Sequence, residues 1–203
     1  VSELMATLKD QELKDYMAFD VITTASSYLS DDFVDANFEM FSHVMSGKTV
    51  QEPRWKRALG TPNGILGEAV GELYVEKYFP ASSKEKMLKL VNNLKVALAE
   101  HIASLDWMSD KTKVNALVKL NSFTVKIGYP DKWRDYSGIQ IDPEQSYWEN
   151  VRRARAFETA YALSKYGQPV DRDEWGMTPQ TVTAYYNPTT NEICFPAGIL
   201  QAP

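Results

Sequence analysis

The 203-residue chain has only one cysteine, Cys194, and only two histidines, His43 and His101. A single thiol cannot close an internal disulfide, which excludes a small secreted domain held together by bridges. Long apolar runs are missing too, and none approaches the ~20 residues a membrane-spanning helix needs. No signal peptide is visible. The opening Val1-Ser2-Glu3-Leu4 has no initiator methionine and reads as protein interior, so further chain is expected upstream. Charge of one sign is nowhere concentrated. The 22 Lys and Arg are interspersed with 27 Asp and Glu, for a net charge of −5. Without a basic stripe, a nucleic-acid partner is excluded as a working reading.

What is present is apolar and aromatic. A hydrophobic fraction of 44% and an aromatic fraction of 12% can build a core and argue against disorder. The length fits one domain or two small lobes. Helical periodicity dominates the first two thirds. Leu13, Met17, Val21 and Thr24 recur at spacings of four and three. Phe33, Phe38, Phe41 and Val44 mark a second helical segment ended by Gly47. Pro62 is expected to open a third, with Ile65, Leu66, Ala69, Val70, Leu73 and Tyr74 inward, and Pro80 to close it. Ser82 with Glu85 predicts a capping box and a long helix carrying Met87, Leu90, Val91, Leu94, Ala97, Leu98, His101 and Leu105 on one face. Another helix is predicted over 111–120. The texture then changes over 127–143, where Gly128, Pro130, Gly138 and Pro143 break the pattern. A helix is predicted over 144–166, ended by Gly167. Thr181–Tyr186 and Glu192–Phe195 flank the turn residues Asn187-Pro188-Thr189-Thr190-Asn191 and predict a hairpin.

Read by themselves, these residues carry little chemistry. Neither histidine begins an H-E-x-x-H, the spacing that puts two imidazoles on one helical face for zinc. Both read as structural, His101 on an apolar helix face. Cys194 lies between Ile193 and Phe195 with no basic sequence neighbour to lower its pKa, which fits a buried structural thiol better than a nucleophile. The pairs Asp31-Asp32 and Asp173-Glu174 read as helix caps and surface. Gly60-Thr61-Pro62-Asn63-Gly64 is glycine-rich in composition only. A helical scaffold or interaction module fits as well as an enzyme at this level.

Several segments in one order change that balance. Pro53-Arg54-Trp55-Lys56-Arg57 is followed by Leu105-Asp106-Trp107-Met108 and then Ile127-Gly128-Tyr129-Pro130-Asp131. The chain closes on Val182-Thr183-Ala184-Tyr185-Tyr186-Asn187-Pro188, Asn191-Glu192-Ile193 and Phe195-Pro196-Ala197-Gly198-Ile199-Leu200-Gln201. In this the chain resembles the neprilysin and endothelin-converting-enzyme family of zinc metallopeptidases, over nearly its whole length. The lack of paired cysteines points within that family to a bacterial oligopeptidase.

The resemblance implies a mainly α chain. Residues 1–130 would belong to a helical cap lobe that screens out large substrates. Residues 131–203 would open a thermolysin-like α+β catalytic lobe with a β-hairpin. The family's zinc helix follows the F-P-A-G-I-L-Q block and its third ligand, a glutamate, lies further on, so the expected cofactor of the intact enzyme is zinc, with no catalytic residue and no metal ligand in this chain. Thr183 and Ala184 match the strand that holds an extended peptide substrate, where the family usually has Asn-Ala. Ile199 matches the pocket for the residue just after the cleaved bond. The implied partners are oligopeptide substrates and the remainder of the catalytic lobe. The implied location is extracytoplasmic (periplasmic, lipoprotein or secreted), although some bacterial relatives are cytoplasmic. The departure to Thr183 leaves an inactive peptide-binding relative as the alternative.

Overall fold

The computed structural model describes residues 7–201. The chain is mainly helical, as the sequence predicts, with a small three-stranded sheet that contains the expected hairpin near the C-terminus. Its contacts divide it into two compact units. One takes the chain up to Thr61 together with Ser137–Ser164, and the other takes Pro62–Tyr136 together with the chain from Lys165 onward.

The first unit contains α1 (Asp10–Ala25), a 3-10 turn (Ser26–Tyr28), α2 (Asp31–Asn37), the start of α3 (Arg54–Ile65) and α7 (Tyr147–Ser164). Ser30 is the N-cap of α2, and Asp31 and Asp32 occupy its first turn, where the helix dipole favours negative charge. α2 runs on as a π-helical stretch, Phe38–Val44, which the aromatic spacing does not reveal. Gly47, at φ 69°, ends it with an N–H to the His43 carbonyl at 2.9 Å, as expected. The ring of Tyr28 lies 5.5 Å from that of Tyr147 and 5.9 Å from that of Trp148, and its hydroxyl accepts from Arg155 at 2.9 Å. Three expectations are corrected here. The α1 stripe of Met17 and Val21 is exposed, because no described element of the unit covers it. Trp55, expected in the core of the cap, is 62% exposed, although the ion pair expected of its neighbour Arg54 is present, with Asp31 at 3.7 Å on the surface. Pro62 lies inside α3 rather than opening a helix. The helix-forming run Arg54–Leu59 starts it, and the Pro53 carbonyl accepts from Lys56 and Arg57.

The second unit contains α4 (Gly67–Tyr78), α5 (Ala81–Ser104), α6 (Asp110–Asn121), β1 (Thr124–Gly128), β2 (Tyr185–Asn187), β3 (Glu192–Pro196) and a closing 3-10 turn (Ala197–Leu200). α5 begins one residue before Ser82, with Pro80 as its N-cap at φ −65° and ψ 152°, so the predicted capping box does not form. The long apolar face of α5 is only partly used. Val91 and Ile102 are buried, whereas Leu94 is 60% exposed and Leu90, Leu98 and His101 are also exposed. Leu73 of α4, expected inward, is exposed as well. The unit's core gathers Val75, Phe79 and Ala197, with Tyr74, Tyr129, Trp133 and Leu200 packed against them.

The sheet runs in the order β1-β3-β2. β1 and β3 are parallel, with Lys126 opposite Cys194, and β2 and β3 are antiparallel, with Tyr185 opposite Cys194. The hairpin is therefore present, but β2 starts at Tyr185, not at Thr181. β1 was not anticipated. Its β-rich residues sit in a stretch whose glycines and prolines dominate the local pattern, and its partner is far along the chain.

Candidate substrate-binding edge

β2 is one of the two edge strands of the sheet, bonded to β3 on one side only. Thr183 and Ala184 immediately precede it. Both are exposed, and neither is paired into the sheet.

The chain leading into them is held tightly. Thr178 and Thr181 share a hydroxyl–hydroxyl bond of 2.9 Å, and the Thr181 amide donates to the Thr178 carbonyl at 3.0 Å. Gln180 Nε2 donates to Asn63 Oδ1 at 2.6 Å and to the Gly67 carbonyl at 3.0 Å. The Gly198 amide donates to the Pro179 carbonyl at 2.8 Å. Two glycines permit this closeness. A Cβ on Gly71 would lie 2.6 Å from Pro179 Cδ, and one on Gly198 would lie 2.7 Å from the Gln180 carbonyl oxygen and 2.8 Å from that of Thr181. Ile199, next to Gly198, is 40% exposed on the closing turn. The turn that carries Ile199 is thus bonded to the segment that delivers Thr183 and Ala184.

The far end of the hairpin is also fixed. Asn187 Oδ1 accepts from the Thr189 amide at 3.0 Å and from its hydroxyl at 2.7 Å. Asn191, at φ 53°, reaches the Lys119 carbonyl at 2.9 Å through Nδ2. Asparagine tolerates this left-handed backbone better than most residues.

Behind the edge strand lies a buried polar cluster. Lys126 Nζ donates to Glu192 Oε2 at 2.9 Å and to the Glu174 carbonyl at 2.7 Å. The two side chains are only 7% and 5% exposed. The Tyr185 hydroxyl donates to Glu192 Oε1 at 3.1 Å and accepts from the Gly176 amide at 3.1 Å. Burial pushes Glu192 up, but the hydrogen bond and charge of Lys126, with the Tyr185 hydroxyl, outweigh it and hold the carboxyl below its ordinary value. Burial raises Tyr185, and the neighbouring Glu192 charge adds to that rise. Cys194 is fully buried in β3, and burial pushes its thiol up to about 11. The sequence-based view that Cys194 has no basic neighbour is corrected. β1 brings Lys126 alongside it, yet desolvation outweighs the lysine's charge, so the thiol stays protonated at neutral pH and is a poor nucleophile. Lys126 and Glu192 left one faint sequence signal: opposite charges within two short β-rich runs.

Neither histidine is among the residues bonded in this cluster. His43 Nδ1 is 3.0 Å from the Glu39 carboxylate one turn earlier, and His101 is exposed near the end of α5. Among the described residues, no three of His, Cys, Asp or Glu come together as a metal site.

An exposed stretch entering an edge strand, seated by close backbone contacts, is an arrangement suited to holding an extended chain, and comparison with known proteins gives the class. Residues 1–130 match Peptidase family M13, and this chain belongs to that family. The neutral endopeptidase of Lactobacillus helveticus is 38% identical over 202 residues, covering 99% of this chain and 31% of that protein. Human endothelin-converting enzyme 1 is 36% identical over 214 residues, covering 100% of this chain and 27% of that protein. The cryo-EM structure of the Mycobacterium tuberculosis zinc metalloprotease Zmp1 in its open state superposes with a TM-score of 0.92 at 43% identity, over 99% of this chain and 31% of that one. The chain thus spans about a third of the length of these relatives.

Proposed function

We propose that this chain works as part of a zinc-dependent metalloendopeptidase that hydrolyses oligopeptides, and that it supplies the edge on which the substrate lies. The observation that carries this is the exposed Thr183-Ala184 stretch, unpaired at the entry to β2. An extended peptide can add to such an edge as a further strand, with main-chain hydrogen bonds giving affinity and side-chain pockets giving selectivity. The Ala184 carbonyl accepts from the amine side of the cleaved bond, and the small Ala184 side chain lets the peptide approach. Ile199 forms part of the apolar pocket for the next residue. In this reading zinc is the metal of the intact enzyme, and residues outside this chain would hold it.

In this reading residues 1–130 belong to the helical cap lobe and 131–203 open the catalytic lobe. The extent of the family match, which ends at residue 130, supports that division. The location that goes with this reading is extracytoplasmic, with a cytoplasmic one as the alternative. No helix among the described residues is long and apolar enough to cross a membrane.

Thr183 tests the assignment. An asparagine carboxamide offers both an acceptor and a donor on a longer reach than a threonine hydroxyl. A buried partner left without its hydrogen bond costs about 1–3 kcal/mol. Thr183→Asn in the intact protein is therefore expected to raise kcat/KM for peptide cleavage by roughly tenfold, since about 1.4 kcal/mol corresponds to a factor of ten. Unchanged kinetics would count against Thr183 as a substrate contact.

A further inference from the structure

We infer that the Tyr185 hydroxyl is a positioning group, which fixes the backbone of Thr183 and Ala184 so that a peptide meets a preformed strand edge. The inference rests on the substrate-binding reading of Thr183-Ala184 above.

The Glu174 carbonyl is held by Lys126, and the Gly176 amide is held by Tyr185. Pro179 and Gln180 are held by Gly198, Asn63 and Gly67. The span from Gly176 to Tyr185 is thus a loop closed on itself by one phenol. Thr181 is in turn bonded to Thr178, and between it and Tyr185 stand Val182, Thr183 and Ala184, all three exposed. Tyr185 follows Ala184 directly, so its side chain sets where the exposed stretch ends and where the ladder with β3 begins.

The cluster holding that phenol is costly. A buried ion pair is weak evidence for stability, because its desolvation penalty can exceed its Coulomb gain, and an apolar replacement is often neutral or better. Conformational specificity is the better account when the pair holds a group at a functional edge. Glu192 has one oxygen on Lys126 and the other on Tyr185, so the lysine fixes the carboxylate and the carboxylate fixes the phenol. Tyr185 belongs to the edge strand, but its hydroxyl is engaged by the Gly176 amide and the Glu192 carboxylate rather than offered to a peptide. Its action is on the order of the edge, which a ligand would otherwise have to impose at an entropic cost.

The test uses the intact protein and an extended peptide substrate. Tyr185→Phe keeps the ring and removes only the hydroxyl. The expected result is a rise in KM of about tenfold with kcat within twofold, because ordering the edge is then left to the substrate. Ala184→Val serves alongside as a probe of the edge itself and is expected to raise KM by steric exclusion. If Ala184→Val raises KM and Tyr185→Phe does not, the positioning role is overturned while the substrate-edge reading stands. If neither changes KM, the edge reading fails and the inference fails with it. A lowered melting temperature for Tyr185→Phe with unchanged KM also overturns the inference, since a purely structural hydroxyl would act that way. Should that variant fail to fold, the double variant Lys126→Met/Glu192→Leu removes the phenol's carboxylate partner together with the lysine that fixes it. It is expected to raise KM about tenfold, and a KM within twofold of the parent would overturn the positioning role.

Discussion

Lys126→Met is expected to destabilise the protein by about 3–5 kcal/mol, the usual cost of removing one partner from a buried ion pair. The substitution strands Glu192 beneath the sheet, where its side chain is 5% exposed, with the Tyr185 hydroxyl as a neutral donor and no cation. The double variant Lys126→Met/Glu192→Leu removes both charges and is expected to recover most of the loss, because hydrophobic residues of similar volume replace such pairs at little cost. The pH dependence has a definite sign. The Glu192 carboxyl is held below its ordinary value in the folded protein. Its contribution is therefore fully present above the unfolded carboxylate pKa and is lost as pH falls through the depressed folded value. Thermal unfolding of the three proteins across an acid series checks both points. A single variant within 1 kcal/mol of the parent, or a double variant as acid-sensitive as the parent, would contradict this account of the cluster.

Gly198→Ala is expected to cost about 3 kcal/mol, the upper part of the range for overpacking, and to lower kcat/KM more than tenfold. The added methyl would meet two backbone carbonyl oxygens at 2.7 and 2.8 Å, and backbone atoms cannot rotate aside as a side chain can. The segment that must yield carries Gln180 and Thr181, which lead directly to Thr183. Stability and substrate binding should therefore fall together. Gly60→Ala is the control. That glycine lies in α3 with nothing within 4 Å of its Cβ position, so alanine there should stabilise by up to ~1 kcal/mol through helix propensity. Denaturant unfolding and peptide-cleavage kinetics on the two variants separate a local clash from a general intolerance of alanine.

Signals carried by neighbours in sequence were legible before the fold was seen. Gly47 and Gly167 end helices where the pattern says they should, both at positive φ. The helix predicted over 111–120 is present as α6, Asp110–Asn121. The Asn187–Asn191 turn joins two strands as its composition predicts. The failures have a common physical origin. Periodicity marks an apolar face but does not say what covers it, so Leu94 and Met17 read as core and are exposed. Local propensity does not reveal a parallel partner far along the chain, so β1 was missed. Pro62 shows that upstream helix formers can carry a helix through a residue that usually starts one.

The candidate site divides the same way. Thr183, Ala184 and Ile199 were found through motif resemblance alone, since nothing in their periodicity singles them out. Lys126, Tyr185 and Glu192 were not found, because their meeting depends on the β1-β3-β2 order of the sheet. The close seats at Gly71 and Gly198 were equally hidden, since a glycine's sequence context does not show which backbone will press against it.

The central claim is that an extended peptide pairs with the chain at Thr183 and Ala184. Amide hydrogen exchange on the intact protein, with and without a bound, non-cleaved peptide analogue, tests it most directly. The account predicts strong new protection of the amides across residues 183–186, with little change at residues 192–195 of β3, the central strand, which is bonded on both sides. Protection that appears elsewhere while residues 183–186 exchange at the rate of the free protein would contradict it.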